Sequence, residues 1–191
     1  MFFKRLLDII FSLILTVLLA PFLLLISLLI RLESKGSPIF AQKRVGQHSK
    51  PFTIYKFRTM RIDTPDVPTN EFNDRDQYIT KMGKFLRVTS LDELPQLFNI
   101  LKGDMSFVGP RPPLFSQEEL VANRKKHGVD KFKPGITGWA QINGRDDIDD
   151  EQKFEYDFYY KRNHSLMLDF KIVLITFLQV IKREGLIENG D

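Results

Sequence analysis

Ile9-Ile10-Phe11-Ser12-Leu13-Ile14-Leu15-Thr16-Val17-Leu18-Leu19-Ala20-Pro21-Phe22-Leu23-Leu24-Leu25-Ile26-Ser27-Leu28-Leu29-Ile30 runs for 22 residues without a charge. A helix needs about 20 such residues to cross hydrocarbon. A secretory signal has a shorter apolar core and a small-residue cleavage site after it. Here Arg31-Leu32-Glu33-Ser34-Lys35 follows instead, so the segment is expected to be retained. Of the first 32 residues 24 are apolar, whereas the remainder has the composition of an ordinary soluble domain. That remainder carries too little apolar surface to wrap the segment, and a membrane is its expected environment.

The flanks bear on how it sits there. Lys4 and Arg5 precede the segment, and Arg31 and Lys35 follow it. From Ser34 to Ile62 there are seven Lys or Arg and no acid. Positive charge at both ends points to both ends staying on the cytoplasmic side. Pro21, near the middle, removes a backbone hydrogen bond and bends a helix. A straight span with a kink and a helical hairpin that re-enters both satisfy these facts.

Outside this region the chain is nearly neutral, with 25 basic and 23 acidic residues of the 28 and 24 in all. The net charge of +4 is therefore no nucleic-acid footprint, and no nucleic-acid partner is expected. The absence of cysteine excludes disulfides, thiolate zinc sites and a Cys nucleophile. Gly-x-x-x-x-Gly-Lys-Ser/Thr, Gly-x-Gly-x-x-Gly and His-Glu-x-x-His are also missing. Residues 38–46 and 51–60 read as a β-hairpin and 63–76 as a loop. Short helices are expected near 77–86, 91–101, 116–126 and 151–163. Two Gly/Pro-rich connectors, 103–113 and 133–144, lie among them. A last helix carries the stripe Leu166, Phe170, Val173, Leu174, Phe177, Leu178 and Ile181. Its ten-residue uncharged run is too short to cross a bilayer. It reads as a core helix, the alternative being a helix at the membrane interface near Lys171, Lys182 and Arg183.

Ser90-Leu91-Asp92-Glu93 ahead of an apolar run matches a capping box, which by itself is structural. Pro95 disturbs that pattern when Ser90 is the cap and is tolerated when Asp92 is. In either case two adjacent carboxylates stand at the positive end of a helix, a field that favours the ionised carboxylate and attracts phosphate. An ionised Asp can attack a phosphoryl group and can hold a divalent metal. Lys56, Arg58, Arg87, Arg111 and Arg145 are candidate phosphate ligands, with Arg111 stiffened by Pro110, Pro112 and Pro113. His48, His127 and His164 show no ligand spacing. The acids from Asp146 to Glu151 read as a solvated helix start, and Trp139 as a packing or interfacial residue.

Four motifs occur in order: Tyr55-Lys56-Phe57-Arg58-Thr59-Met60; Leu91-Asp92-Glu93-Leu94-Pro95-Gln96-Leu97-Phe98-Asn99; Lys102-Gly103-Asp104-Met105-Ser106-Phe107-Val108-Gly109-Pro110-Arg111-Pro112; and Lys133-Pro134-Gly135-Ile136-Thr137-Gly138-Trp139-Ala140-Gln141. They closely resemble the bacterial sugar transferase family, and within it the small monotopic phosphoglycosyl transferases. The likeness runs from Lys4 through Asp157-Phe158-Tyr159-Tyr160 and Leu168-Asp169-Phe170-Lys171.

The resemblance implies transfer of a sugar-1-phosphate from a UDP-sugar to polyprenyl (undecaprenyl) phosphate, with release of UMP, as the first membrane step of glycan assembly. It implies magnesium, with Asp92 as metal ligand and as the nucleophile that forms an aspartyl phosphosugar, and Glu93 assisting the second substrate or orienting the pair. It further implies Lys56, Arg87, Arg111 and Arg145 as phosphate ligands and Asp157 as a further polar site residue. The family's membrane helix is re-entrant and broken at a proline, here Pro21, which Ala20 precedes where Ser is usual. The expected fold is α+β and mainly helical. Residues 1–34 form the membrane helix. Residues 35–191 form a small catalytic domain on the cytoplasmic face of the bacterial inner membrane, with a short β-hairpin and interfacial helices. The chain reads as close to a minimal catalytic unit, able to meet later glycosyltransferases. An inactive membrane scaffold that recruits those enzymes is the alternative. A basic peripheral protein that merely binds anionic lipid would leave Asp92 and Glu93 unexplained. The donor sugar is not marked by any motif.

Overall fold

The computed structural model describes residues 2–64, 75–144 and 148–182. Its first element, α1 (Phe2–Glu33), has Pro21 inside it. Ser12 and Ser27 turn their hydroxyls back onto the carbonyls of Asp8 and Leu23, so neither serine presents an unpaired group to the apolar surroundings. Between Leu13 and Leu25 no residue of α1 is buried.

Both ends of α1 are held by the rest of the chain, for different reasons. At the start, Arg5 donates to the carbonyls of Ile100 (2.6 Å) and Leu101 (3.0 Å), in the last turn of α3 (Gln96–Lys102). A cation there also answers the negative end of that helix. Asp8 is buried and accepts from Ser106 Oγ and the Phe107 N–H, and Lys4 pairs with Asp169 at 2.6 Å. At the other end, Ile26 and Ile30 pack on Phe57 and Leu86. The Glu33 carboxylate accepts from the first N–H groups of α2 (Lys81–Val88), those of Lys81 and Met82. These are donors a helix start leaves unpaired.

The expected hairpin forms from β1 (Ile39–Val45) and β2 (Pro51–Phe57), antiparallel, with Ile39 opposite Phe57 and Gln42 opposite Ile54. The free edge of β2 is closed by one side chain of α3. Asn99, fully buried, accepts from the Tyr55 N–H and donates to the Thr53 carbonyl. β2 is thereby locked onto α3.

The two Gly/Pro-rich connectors are more ordered than the sequence reading allowed. They contain β3 (Ser106–Val108) and β4 (Gly135–Thr137), which pair in parallel. Three-residue strands carry too little alternation to announce themselves. Their glycines do explain the approach: a Cβ on Gly135 would stand 2.2 Å from the Gly109 nitrogen. Between β3 and β4 lies α4 (Glu118–Lys126), and α5 (Trp139–Gly144) and α6 (Asp150–Asn163) follow β4. Trp139 stacks on Tyr159 at 4.8 Å, a packing role. The expected helices near 116–126 and 151–163 are present, whereas most of the expected loop 63–76 lies outside the described residues.

The last helix, α7 (Leu166–Lys182), corrects an expectation. Only Asp169 and Ile172 are buried on it, while Phe170, Phe177 and Ile181 are each more than 60% exposed. It is not a core helix. Its inward side packs Ile172 with Val108 and Tyr160 and adds polar contacts, Thr176 Oγ1 with Thr137 Oγ1 at 2.7 Å and Gln179 with the Ile142 carbonyl. The apolar stripe read as core faces outward.

Candidate active site

Leu91 and Leu94 pack into the cluster formed by Ile26, Ile30, Phe57 and Leu86. The two residues between them, Asp92 and Glu93, are left on the opposite side of a 3-10 turn, Leu91–Glu93. Neither capping pattern expected from the sequence forms. Ser90 adopts a left-handed backbone (φ 55°) with no capping hydrogen bond from its side chain, and Pro95 stands at the entry of α3. A left-handed serine costs about 1 kcal/mol or more and persists only where its surroundings impose it. Here it redirects the chain out of α2 so that the turn presents both carboxylates.

Lys56 on β2 lies 2.7 Å from Glu93 Oε1 and 3.8 Å from Asp92 Oδ2. Arg111 reaches the same Glu93 oxygen with both terminal nitrogens at 3.4 Å. Its loop is fixed on three sides. The Val45 N–H donates to the Pro113 carbonyl, the Gly135 N–H to that of Pro110, and Arg124 to that of Arg111 at 2.9 Å. Arg87, in the last turn of α2, donates to Thr59 Oγ1 at 2.9 Å and contributes to the field at Asp92. Gly83 brings α2 this close: a Cβ there would fall 1.9 Å from the Thr59 carbonyl oxygen.

The two carboxylates differ. For Glu93, burial favours the neutral form, but Arg111 and Lys56 outweigh it and hold the carboxyl below the usual range. For Asp92, burial dominates and pushes the carboxyl up, aided by Glu93 and opposed by Lys56, Arg87 and Arg111. The helix-end field expected to favour ionised Asp92 is therefore not the larger influence. Glu93 is a pinned anion, and Asp92 a more basic one that stands 3.8 Å from Lys56. A carboxylate so placed can attack phosphorus while the surrounding cations spread charge over phosphoryl oxygens.

Of the expected site residues, Asp92, Glu93, Lys56, Arg87 and Arg111 come together. Arg145 lies outside the described residues. Asp157, 1% exposed, stands behind the site rather than in it: Arg124 donates to it at 2.9 and 2.5 Å and is the same arginine that holds the Arg111 carbonyl. Burial pushes the Asp157 carboxyl up against the pull of Arg124. Arg58 has a structural task, donating to the carbonyls of Ser34 and Lys35 at the exit of α1. Sequence reading missed Arg44 on β1, which touches the Pro112 carbonyl at 3.4 Å and whose pKa is brought down to about 10 by burial and by Arg111. Its only signal was membership in the acid-free basic run.

Among the described residues no three His, Asp or Glu side chains gather as a metal cage. Asp92 and Glu93 are the carboxylates at hand, and Glu93 is spent on Lys56 and Arg111. Magnesium fits such a site when one carboxylate shares it with substrate phosphates and water.

The bacterial sugar transferase family model matches residues 1–183. A Bacillus subtilis (strain 168) sugar transferase, EpsL, is 46% identical over 189 residues, which cover 97% of this chain and 91% of that one. The Klebsiella pneumoniae UDP-glucose:undecaprenyl-phosphate glucose-1-phosphate transferase is 46% identical over 92% of this chain and 39% of its own length. The UDP-N-acetylgalactosamine-undecaprenyl-phosphate N-acetylgalactosaminephosphotransferase of Aeromonas hydrophila is 41% identical over 96% of this chain and 45% of its own. The chain thus spans nearly all of the first relative and less than half of the other two. A match along this much of its length, carried by the motifs that build the site, makes the chain a member of the bacterial sugar transferase family.

Proposed function

We propose that the protein is a phosphoglycosyl transferase that moves a sugar-1-phosphate from a UDP-sugar to undecaprenyl phosphate and releases UMP. The observation that carries this reading is the unequal carboxylate pair. A pinned Glu93 and a more basic Asp92 share one ring of cations. An Asp92 oxygen attacks the β-phosphorus, a bond forms between them, and the bond from that phosphorus to the bridging oxygen of UMP breaks. The negative charge of the leaving phosphate falls to Arg111 and Arg87, with Arg145 as a further ligand. An oxygen of undecaprenyl phosphate then attacks the same phosphorus, and Asp92 leaves as a carboxylate. Glu93, held below the ordinary carboxylate range, acts as a brace that orients Lys56 and Arg111. Asp157 positions Arg111 through Arg124. Magnesium would be held by Asp92 with the donor's phosphate oxygens, and would neutralise charge on the pyrophosphate.

We read residues 1–34 as the membrane part, re-entrant and bent at Pro21, and residues 35–191 as the catalytic domain on the cytoplasmic face of the inner membrane. Two observations support this. One body grips α1 through Lys4, Arg5 and Asp8 at its start and through Ile30 and Glu33 at its end, which supports a helix whose two ends lie on the same side of the membrane. The outward apolar stripe of α7 gives that body a second surface suited to lipid. A site at headgroup depth meets a lipid phosphate without extracting it, and later glycosyltransferases would find the product on the same face.

The test is UMP release from a panel of UDP-sugars with undecaprenyl phosphate and magnesium, wild type beside Asp92→Asn. One productive donor and a dead variant support the reading. A folded wild type that releases no UMP from any donor would leave the inactive scaffold as the better account.

A further inference from the structure

Two cations stand together at the start of α1, and among the described residues neither pairs with an acid. Arg5 spends two of its five N–H groups on the carbonyls of Ile100 and Leu101, which leaves donors to spare. Lys133 lies just ahead of β4, where the Ser106 N–H donates to the Pro134 carbonyl at 2.9 Å and fixes the backbone. Lys133 is half-buried, and its side chain makes no hydrogen bond among the described residues. Burial and the neighbouring Arg5 push its ammonium below the usual lysine range, against the pull of Asp8 and Asp104. Those two acids are engaged elsewhere, Asp8 with Ser106 and the Phe107 N–H, Asp104 with Lys102 at 3.0 Å.

Gly103 leaves a gap between the two cations. A Cβ on it would lie 3.3 Å from Arg5 Nη2 and 3.5 Å from Lys133 Nζ, so one oxygen at that place reaches both. The left-handed backbone of Gly103 (φ 98°) ends α3 and accounts for the glycine, but not for two cations facing the gap. Like charges held close and partly out of water cost the fold free energy, which an anion between them offsets. An arginine fork beside a lysine suits phosphate oxygens. The place is separate from the catalytic turn, since Asp92 and Glu93 precede α3 whereas Gly103 follows its last residue. Its depth is defined as well. Arg5 lies four residues ahead of the uncharged run that opens at Ile9, and Leu6, Leu7 and Ile10 are exposed on the turns that follow. A phosphate that carries fatty chains matches both features, its charge at the cations and its chains along α1.

Resting on the proposed membrane placement of α1 and not on the transfer reaction, we propose that Arg5 and Lys133 form a phosphate site for the headgroup of an anionic phospholipid of the cytoplasmic leaflet. The acyl chains of that lipid lie along the exposed face of α1. The bound headgroup joins the start of α1 to the end of α3 and the start of β4, and so sets the depth at which the domain rides.

The test follows the melting temperature of the full chain in detergent as phosphatidylglycerol, phosphatidylcholine or inorganic phosphate is added. Wild type is compared with Lys133→Gln, Lys133→Arg and Lys125→Gln. Phosphatidylglycerol should raise the melting temperature of wild type saturably, and the other two additives far less. Lys133→Gln should weaken that binding about tenfold or more, as loss of one charge-assisted hydrogen bond predicts. Lys133→Arg keeps the charge and should keep the effect, as should Lys125→Gln, which removes an exposed charge on α4 instead. Without lipid, Lys133→Gln should melt no lower than wild type, because the charge it removes is opposed by burial and by Arg5, which a merely structural role would not allow. Lys133→Met stands in if the glutamine variant fails to fold. An undiminished phosphatidylglycerol effect in folded Lys133→Gln overturns the inference. So does inorganic phosphate that stabilises as well as the lipid, which would make this a site for the free ion, or displacement of the lipid by undecaprenyl phosphate, which would make it the acceptor's. Flotation with phosphatidylcholine vesicles in high salt keeps the two readings apart. A chain that fails to float refutes the membrane placement, whereas one that floats yet shows no phosphatidylglycerol effect refutes the lipid site alone.

Discussion

Replacing Asp157 by Asn removes the one acidic partner of Arg124 among the described residues. The Arg124 guanidinium it pairs with is itself almost fully buried, at 6% exposed, and makes two bonds to a single Asp157 oxygen. Breaking a buried pair from one side strands the other ion, at a cost of about 3–5 kcal/mol. For a chain of this size that lowers the melting temperature by roughly 6–20 °C. Removing both partners, as in Asp157→Leu with Arg124→Met, takes away the stranded charge as well and should recover most of the loss. Activity separates from stability in this series. Arg124 also holds the Arg111 carbonyl, so the double variant should keep a raised KM for the donor even where its melting temperature is restored. The assays are thermal melts of the detergent-held protein and donor-dependent UMP release. Asp157→Asn melting within a degree or two of wild type, or a double variant that regains KM together with stability, would refute the claim that Asp157 works through Arg124 on Arg111.

Other consequences can be checked alongside. The acid limb of kcat/KM should lie above the ordinary Asp value of 3.8, because burial raises Asp92 and the nucleophile is lost as pH falls through that raised pKa. In the residual activity of Glu93→Gln the limb should move to lower pH, since the Glu93 charge is one cause of the rise. Lys56→Met should reduce turnover at least about tenfold, a charge-assisted hydrogen bond being worth about 1.5–3 kcal/mol. Asp169→Ala strands Lys4 and the Tyr160 hydroxyl and should destabilise by about 1–3 kcal/mol, seen as a lower melting temperature. Since the chain has no cysteine, single cysteines at Phe2 and Ser37, both exposed, report topology without background. An impermeant thiol reagent should label both from the same face of sealed vesicles, and labelling from opposite faces would end the re-entrant reading.

Much of this architecture was legible because the signals are local. An uncharged run of 22 residues, two β-rich runs around Gly46–Lys50, and helical spacing from Leu166 to Ile181 each fix an element by themselves. What failed depends on contacts distant in sequence. The β3–β4 pair joins two three-residue strands across the whole of α4, and only the glycines at 109 and 135 hint at it. The direction of α7 was misread because periodicity shows that a stripe exists and not what covers it. At the site, the pattern ahead of an apolar run marked Asp92 and Glu93, while Lys56 and Arg111 were picked out of scattered cations by the resemblance and not by residue type. The sequence could not show that burial would set Asp92 apart from Glu93, or that Asp157 would stand one step behind Arg111. Arg44 carries no motif of its own, and a cavity that it lines with Arg111 marks it.

The account rests on a covalent bond to Asp92, and mass spectrometry tests that directly. Protein incubated with its UDP-sugar and magnesium, but without undecaprenyl phosphate, should release UMP in proportion to enzyme and gain the mass of one phosphosugar. The added mass should map to the peptide holding Asp92, vanish in Asp92→Asn, and be discharged when the lipid phosphate is supplied. UMP release that occurs only with the acceptor present, with no adduct on the chain, would mean direct transfer between the two substrates and contradict the mechanism.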